Sequence, residues 1–150
     1  MVPNALFAFL HFFAVFGVVA TLFFEWFTFS EAPTLSEARR LQAADRWYGI
    51  FAMLLLVVGF IRVFYFEKGS AYYFHNSFFH AKLTLFVLVG LLSIYPTIRF
   101  IKWAPDVKQG RAPTVPTSEF RMIRNLLRAE MVLLLGIALC ASLMARGIGM

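Results

Sequence analysis

The sequence predicts an all-α integral membrane protein, a four-helix bundle whose successive helices run up, down, up and down. Of the 150 residues, 61% are hydrophobic and only 15% are charged, whereas a soluble domain needs about 25% charged residues to cover its surface. Nineteen residues are phenylalanine, and so small a globule cannot bury that much apolar surface. Four long apolar stretches joined by short connections then favour an up-down-up-down bundle.

The four predicted spans cover residues 5–29, 47–66, 80–100 and 121–145. Each is close to the roughly 20 residues that a helix needs to cross the hydrocarbon core. Charged residues shorten the uncharged runs of the last three, which taken alone resemble buried soluble helices. The composition of the whole chain favours membrane-spanning helices over buried helices of a soluble protein. Residues 1–150 are predicted to form a single transmembrane domain.

Two connections carry structural signals of their own. Residues 36–45 are predicted to form a short amphipathic helix with Ser36 as its N-cap. Residues 104–118 contain three prolines and a glycine and are predicted to form the longest flexible connection.

The basic residues predict an orientation in the membrane. The segments 30–46 and 99–124 carry nine of them: Arg39, Arg40, Arg46, Arg99, Lys102, Lys108, Arg111, Arg121 and Arg124. Outside the spans, the opposite side has only Lys68 and Arg146. Because basic loops stay in the cytoplasm, both termini are predicted to lie outside. Most of the net charge of +6 is then an orientation signal, and a nucleic-acid partner is not predicted.

The aromatic residues that mark membrane interfaces agree with this orientation. All three tryptophans, Trp26, Trp47 and Trp103, fall on the cytoplasmic side. Three tyrosines, Tyr65, Tyr72 and Tyr73, fall on the other side. Two aromatic belts of this kind are typical of a protein that spans a bilayer.

Ionisable residues near the outer side form the first candidate site. His11 lies about 9 Å into the first span at 1.5 Å per residue, Arg62 is near the end of the second, and His80 and Lys82 begin the third. Two histidines can ligate haem iron, and Arg and Lys can pair with the haem propionates. The single cysteine, Cys140, excludes covalent c-type haem attachment.

Structural roles remain open for the same residues. His11 can hydrogen-bond a neighbouring helix, as polar residues do in membrane bundles. Arg62 and Lys82 can extend to the headgroups. The phenylalanines are more often lipid-facing or core residues than a cofactor wall.

A second layer of charged residues lies near the cytoplasmic side. It comprises Glu25, Asp45, Arg46, Arg99, Arg124, Arg128 and Glu130. We expect Glu25 to form an inter-helix ion pair with Arg46 or Arg128. A structural salt-bridge network is one interpretation of this layer, and a proton relay or a phosphate-binding patch is the other.

Three segments resemble a bacterial family of small predicted membrane proteins of unassigned function. They are the sequences Ala-Asp-Arg-Trp-Tyr-Gly-Ile at 44–50, Gly-Phe-Ile-Arg-Val-Phe-Tyr at 59–65 and the long run at 82–100 that ends in Tyr-Pro-Thr-Ile-Arg-Phe. The resemblance covers nearly the whole chain. It implies four spans and a place in the bacterial cytoplasmic (inner) membrane, but no chemistry.

A more distant resemblance is to the HemJ-type protoporphyrinogen IX oxidases. Leu10-His11 is similar to the Leu-His of their first span, and His80-Ala81-Lys82-Leu83 to their His-x-Lys-Leu motif. Glu130 stands roughly where they have a glutamate. The resemblance implies haem b binding, with His11 as an axial ligand and Lys82 as a catalytic or propionate-binding residue.

Three classes of function follow from these observations. The first is a haem-binding membrane protein of redox type, for electron transfer or porphyrinogen oxidation, with His11 and His80 on the iron and Arg62 and Lys82 on the carboxylates. The second is a non-catalytic accessory subunit of a larger membrane complex. In either class the partners are the lipid bilayer and a membrane protein or a second copy of the chain. A transporter is the least favoured class, because no paired broken helices or carboxylate chain cross the bilayer.

Overall fold

The computed structural model describes residues 2–66 and 75–148. Four long helices make up most of it: α1 (Val2–Thr28), α2 (Leu35–Ile61), α3 (Ser77–Lys102) and α5 (Thr117–Ala145). A π-helical turn (Arg62–Phe66) continues α2, and a short helix α4 (Ala104–Lys108) follows α3. The predicted interface residues Lys68, Tyr72 and Tyr73 lie outside the described residues.

The predicted fold class is confirmed. All regular structure in the described residues is helical, and four helices are long and apolar enough to cross a membrane. Large apolar side chains face outward along them. On α1 these are Phe9, Phe12, Phe16, Phe23 and Phe27, all at least half exposed. Such a surface suits contact with lipid, because a soluble monomer rarely exposes so large an apolar area.

The start of α2 differs from the sequence-based expectation. Residues 36–45 do not form a separate helix, because α2 runs unbroken from Leu35 to Ile61. Its N-cap is Thr34 rather than Ser36. The Thr34 hydroxyl accepts from the Glu37 amide at 3.2 Å, and the Glu37 carboxylate accepts from the Thr34 amide at 2.7 Å. This reciprocal capping box satisfies two backbone donors, and no proline interrupts the helix that follows.

The helices pack as two pairs. α1 packs mainly on α2, and α3 mainly on α5, while α1 with α5 and α2 with α3 make smaller contacts that close the bundle. Each of α1 and α3 therefore has α2 and α5 as neighbours, and the two lie diagonally across the bundle.

The two ends of the bundle differ in character. At one end, called here the loop end, Phe29 packs against Phe100 and Trp103 in the main core. At the other, called here the terminal end, Val63, Phe79 and Met144 form a smaller cluster. The terminal end contains the first residues of α1 and α3, the π-helical turn and the last residues of α5.

Gly17 sets the distance between α1 and α2. A Cβ atom at this position would lie 2.3 Å from the ring of Phe51 on α2, so only glycine allows the ring to lie there. The hydroxyl of Thr21 donates to the Gly17 carbonyl of the same helix at 2.7 Å. Gly17 therefore makes a close contact between α1 and α2 of this chain.

Candidate functional site

The four residues of the predicted haem site lie on three elements near the terminal end. His11 on α1 is half-buried beside Gly59 of α2, where a Cβ atom would be 3.6 Å from the imidazole Cε1. Arg62, also half-buried, begins the π-helical turn one helical turn further on. Such turns are frequently found at functional sites.

The third helix brings His80 and Lys82 to the same end. Phe79 is buried against Val63, the residue after Arg62. Lys82 places its Nζ atom 5.3 Å from the centre of the Phe79 ring, and the adjacent His80 is exposed. The structure therefore brings His80 and Lys82 next to the Phe79 ring, at the same end of the bundle as Arg62.

His11 and His80 belong to the two helices that lie diagonally across the bundle. His11 is half-buried, whereas His80 is exposed. The donor set suits haem: two imidazoles, a guanidinium and an ammonium group at one end of an apolar bundle. In this respect the residues present fit the group that the resemblance implies.

A second set of polar side chains lies inside the half of the bundle nearer the loop end. Glu25 on α1, Asp45 on α2 and Glu130 on α5 are only 2%, 9% and 1% exposed. Glu25 lies within electrostatic range of both other carboxyl groups. We call these three residues the carboxyl cluster.

Two hydroxyl groups bind the carboxyl cluster. The Tyr48 hydroxyl donates to Glu130 Oε2 at 3.0 Å, and the Thr97 hydroxyl donates to Asp45 Oδ1 at 2.6 Å. The remaining oxygens, Glu25 Oε1 and Glu130 Oε1, are buried and have no hydrogen-bond partner among the described residues. This is unusual, because most buried polar atoms in folded proteins are hydrogen-bonded.

The predicted ion pair between Glu25 and Arg46 or Arg128 is wrong. Both arginines are exposed, and the ion pairs between described residues are Arg99–Glu119 and Arg111–Asp106. Successive helical residues point about 100° apart, so Arg46 faces outward when its neighbour Asp45 faces inward. Arg128 and Glu130 are two residues apart and so point about 200° apart. Arg128 therefore faces outward, because Glu130 points into the bundle interior.

Tyr48 and Thr97 were missed by the sequence-based prediction. One signal was present for Tyr48, since it stands three residues after Asp45 and thus on the same face of α2. Thr97 carries no such signal, because its partner is 52 residues away and is set only by helix packing.

A groove of about 400 Å³ opens beside the carboxyl cluster. Asp45 and Thr97 line it, and the other lining residues are Gln42, Arg46, Gly49, Phe100, Ile101 and Ala104. The Gln42 side chain donates to the Phe100 carbonyl at 2.7 Å and so links α2 to the last turn of α3. Asp45 is therefore part of both the groove wall and the carboxyl cluster.

Comparisons with known proteins give a family. No curated protein and no solved structure matches the chain. A family model matches residues 3–149, which is almost the entire length. The chain therefore belongs to the family described as predicted membrane protein, DUF2214.

Proposed function

We propose that this protein is a haem-binding integral membrane protein of redox type, which holds haem b at the terminal end of the bundle. The observation that carries the proposal is the placement of His11 and His80 on diagonally opposed helices, with Arg62 and Lys82 at the same end. Two imidazoles can ligate a haem iron, and His11 and His80 would be the residues that hold it. A bound haem would supply one-electron redox chemistry.

The remaining polar residues have separate roles in this proposal. Arg62 and Lys82 would pair with the haem propionates, since guanidinium and ammonium groups form strong charge-assisted hydrogen bonds with carboxylates. The resemblance to HemJ-type oxidases adds a second role for Lys82, as the catalytic residue in porphyrinogen oxidation. The His11 ring lies beside Gly59 of α2, where a Cβ atom would be at van der Waals distance from it, 3.6 Å.

The proposal includes an orientation and a location. The loop end carries most of the basic residues, so it faces the cytoplasm and both termini lie outside. The protein is placed in the cytoplasmic membrane of a bacterium, as the resemblance implies.

The absorption spectrum of the purified full-length protein tests the haem proposal. We expect a Soret band after purification or after addition of haem, and its loss or displacement in His11→Ala. The matched control is His75→Ala, because His75 is exposed and lies in the turn before α3. Absence of any Soret band in the haem-supplemented protein would overturn the proposal, as would an unchanged spectrum in His11→Ala.

The alternative is a non-catalytic accessory subunit of a larger membrane complex. One observation favours it: Ala138 and Ser142 are both exposed on α5, beside the exposed side chains of Leu135 and Leu139. Small residues four apart allow another helix to approach closely, and the described residues leave both of these positions exposed. A stoichiometric membrane partner lost on Ala138→Leu, with no haem bound, would favour this alternative.

A further inference from the structure

We propose that Glu25, Asp45 and Glu130 form a proton-binding site inside the bundle, which exchanges protons with the aqueous phase through the groove at Asp45 and Thr97. The site is separate from the proposed haem site and does not depend on it. Its ligand is the hydrogen ion, shared among buried carboxyl groups.

The first argument is the cost of buried charge. An ionised carboxylate removed from water is strongly destabilised unless a cation or several hydrogen bonds compensate it. The structure buries three such groups within one region. Mutual repulsion adds to the cost if more than one is ionised, because like charges interact strongly in a low-dielectric interior.

The charged groups that surround the cluster do not neutralise it. α1 contains no lysine or arginine, and on α2 the nearest cation, Arg46, is exposed. On α3, Arg99 pairs with Glu119. On α5, Arg124 contacts the Trp26 and Phe120 rings and the Phe29 carbonyl, and Arg128 is exposed.

The second argument is the pair of buried oxygens without partners. Glu25 Oε1 and Glu130 Oε1 accept no hydrogen bond from any described residue. Protonation turns a carboxylate from a pure acceptor into a group with an O–H donor. A proton on each of these glutamates therefore lowers their charge and gives the cluster the donors that it lacks.

A metal ion is a poorer match for the same groups. Ca²⁺ requires six to eight oxygen ligands at about 2.3–2.6 Å. Across residues 2–66 and 75–148, no group of three or more His, Cys, Asp and Glu side chains is arranged to hold a metal ion. The three carboxyl groups are close enough to interact electrostatically but do not form such a group.

The groove supplies the path for exchange. Asp45 is the most exposed member of the cluster, at 9%, and it lines the groove together with Thr97. Glu25 and Glu130 are almost completely buried behind it. A proton from water thus reaches Asp45 first, and Asp45 interacts electrostatically with both glutamates.

Infrared difference spectroscopy of the full-length protein in lipid nanodiscs, without added haem, tests the proposal. At neutral pH we expect a carbonyl-stretch band from protonated carboxylic acid that shifts in D₂O. Glu25→Gln and Glu130→Gln should each reduce this band. The matched control is Glu31→Gln, because Glu31 is an exposed glutamate outside the cluster.

Proton counting and cation competition complete the experiment. Raising the pH should release fewer protons per chain from Glu25→Gln and from Glu130→Gln than from the wild type, whereas Glu31→Gln should match the wild type over the range in which the buried groups titrate. Asp45→Asn, which blocks the entry point, should slow the release. A neutral-pH spectrum with no protonated-carboxyl band would overturn the proposal, and so would loss of the band on adding Na⁺ or Ca²⁺ at constant pH, which would indicate a metal-cation site. If one glutamine variant fails to fold, the proposal is still tested by the D₂O-sensitive band of the wild type and by the reduction of that band in the other variant.

Discussion

The hydrogen bond between Tyr48 and Glu130 offers a direct measure of how the carboxyl cluster is held. Tyr48→Phe removes the hydroxyl that donates to Glu130 Oε2 at 3.0 Å and changes little else. The other oxygen of Glu130 already lacks a partner among the described residues. The variant therefore leaves a carboxyl group that is 1% exposed without any described donor.

The expected cost is about 1–2 kcal/mol of unfolding free energy. Hydrogen bonds between helices in membrane bundles contribute about 0.6 kcal/mol on average and about 1.7 kcal/mol at most. A buried acceptor that loses its donor costs about 1–3 kcal/mol. Glu130 has no alternative donor in the described structure. Removal of the Tyr48 hydroxyl should therefore cost more than the average membrane hydrogen bond, and about as much as the smaller losses measured for a buried acceptor without a donor.

Unfolding in mixed micelles of a mild detergent and sodium dodecyl sulfate gives the measurement. The control is Tyr95→Phe, because the Tyr95 hydroxyl is only part-buried and its contact with Arg99 is long, at 3.3 Å. We expect the control to cost less than about 0.5 kcal/mol, as surface substitutions usually do. A Tyr48→Phe variant as stable as this control would show that the hydroxyl does not satisfy Glu130.

A double-mutant cycle with Glu130→Gln then reports the charge on Glu130. If Glu130 is a neutral acid, glutamine keeps a carbonyl acceptor for Tyr48, and the coupling energy should stay below about 1 kcal/mol. If Glu130 is ionised, its hydrogen bond with Tyr48 is charge-assisted and worth about 1.5–3 kcal/mol. Glu130→Gln then replaces a charged acceptor by a neutral one, and the coupling energy should be larger than for a neutral acid. A large coupling energy would contradict the proposal that Glu130 is protonated.

Two further predictions concern the scaffold. Gly17→Ala should be about 1–3 kcal/mol less stable than Gly90→Ala in the same unfolding assay. The reason is that a Cβ atom at Gly17 overlaps the Phe51 ring, whereas a Cβ atom at Gly90 meets nothing within 4 Å. Equal stabilities of the two variants would mean that the Phe51 ring moves away freely. Thr34→Ala should lower the free energy of unfolding by about 1 kcal/mol, because it removes the capping box with Glu37. An unchanged stability in the same assay would show that this cap does not stabilise the protein.

The architecture could be predicted because it depends on quantities that are local in sequence. Apolar length and composition fix four helices, and short connections fix their antiparallel order. The start of α2 was misplaced because both Thr34 and Ser36 are good N-cap residues. Glu37 decides between them, since only Thr34 has it three residues ahead as the partner in a capping box.

The contents of the bundle interior could be predicted only in part. Glu25, Asp45 and Glu130 stood out as charges in apolar surroundings, but their partners depend on how each helix is rotated about its axis. On α1 Glu25 lies in line with the buried residues Ala14, Val18 and Leu22, and this rotation of the helix turns it inward. Tyr48 meets Glu130 across 82 residues of sequence, and no local pattern encodes such a pairing.

The two proposed sites share α1 but are electrostatically almost independent. Glu25 follows His11 by 14 residues, which is about 21 Å along a helix. At an effective dielectric constant of about 20, two unit charges at that separation interact by about 0.8 kcal/mol, or roughly a fourfold change in an equilibrium constant. An electron at the haem site would therefore bias proton binding at the carboxyl cluster only modestly. Loss of haem would not empty the cluster of protons, and neutralising the cluster would not prevent haem binding, so the two proposals succeed or fail on separate evidence.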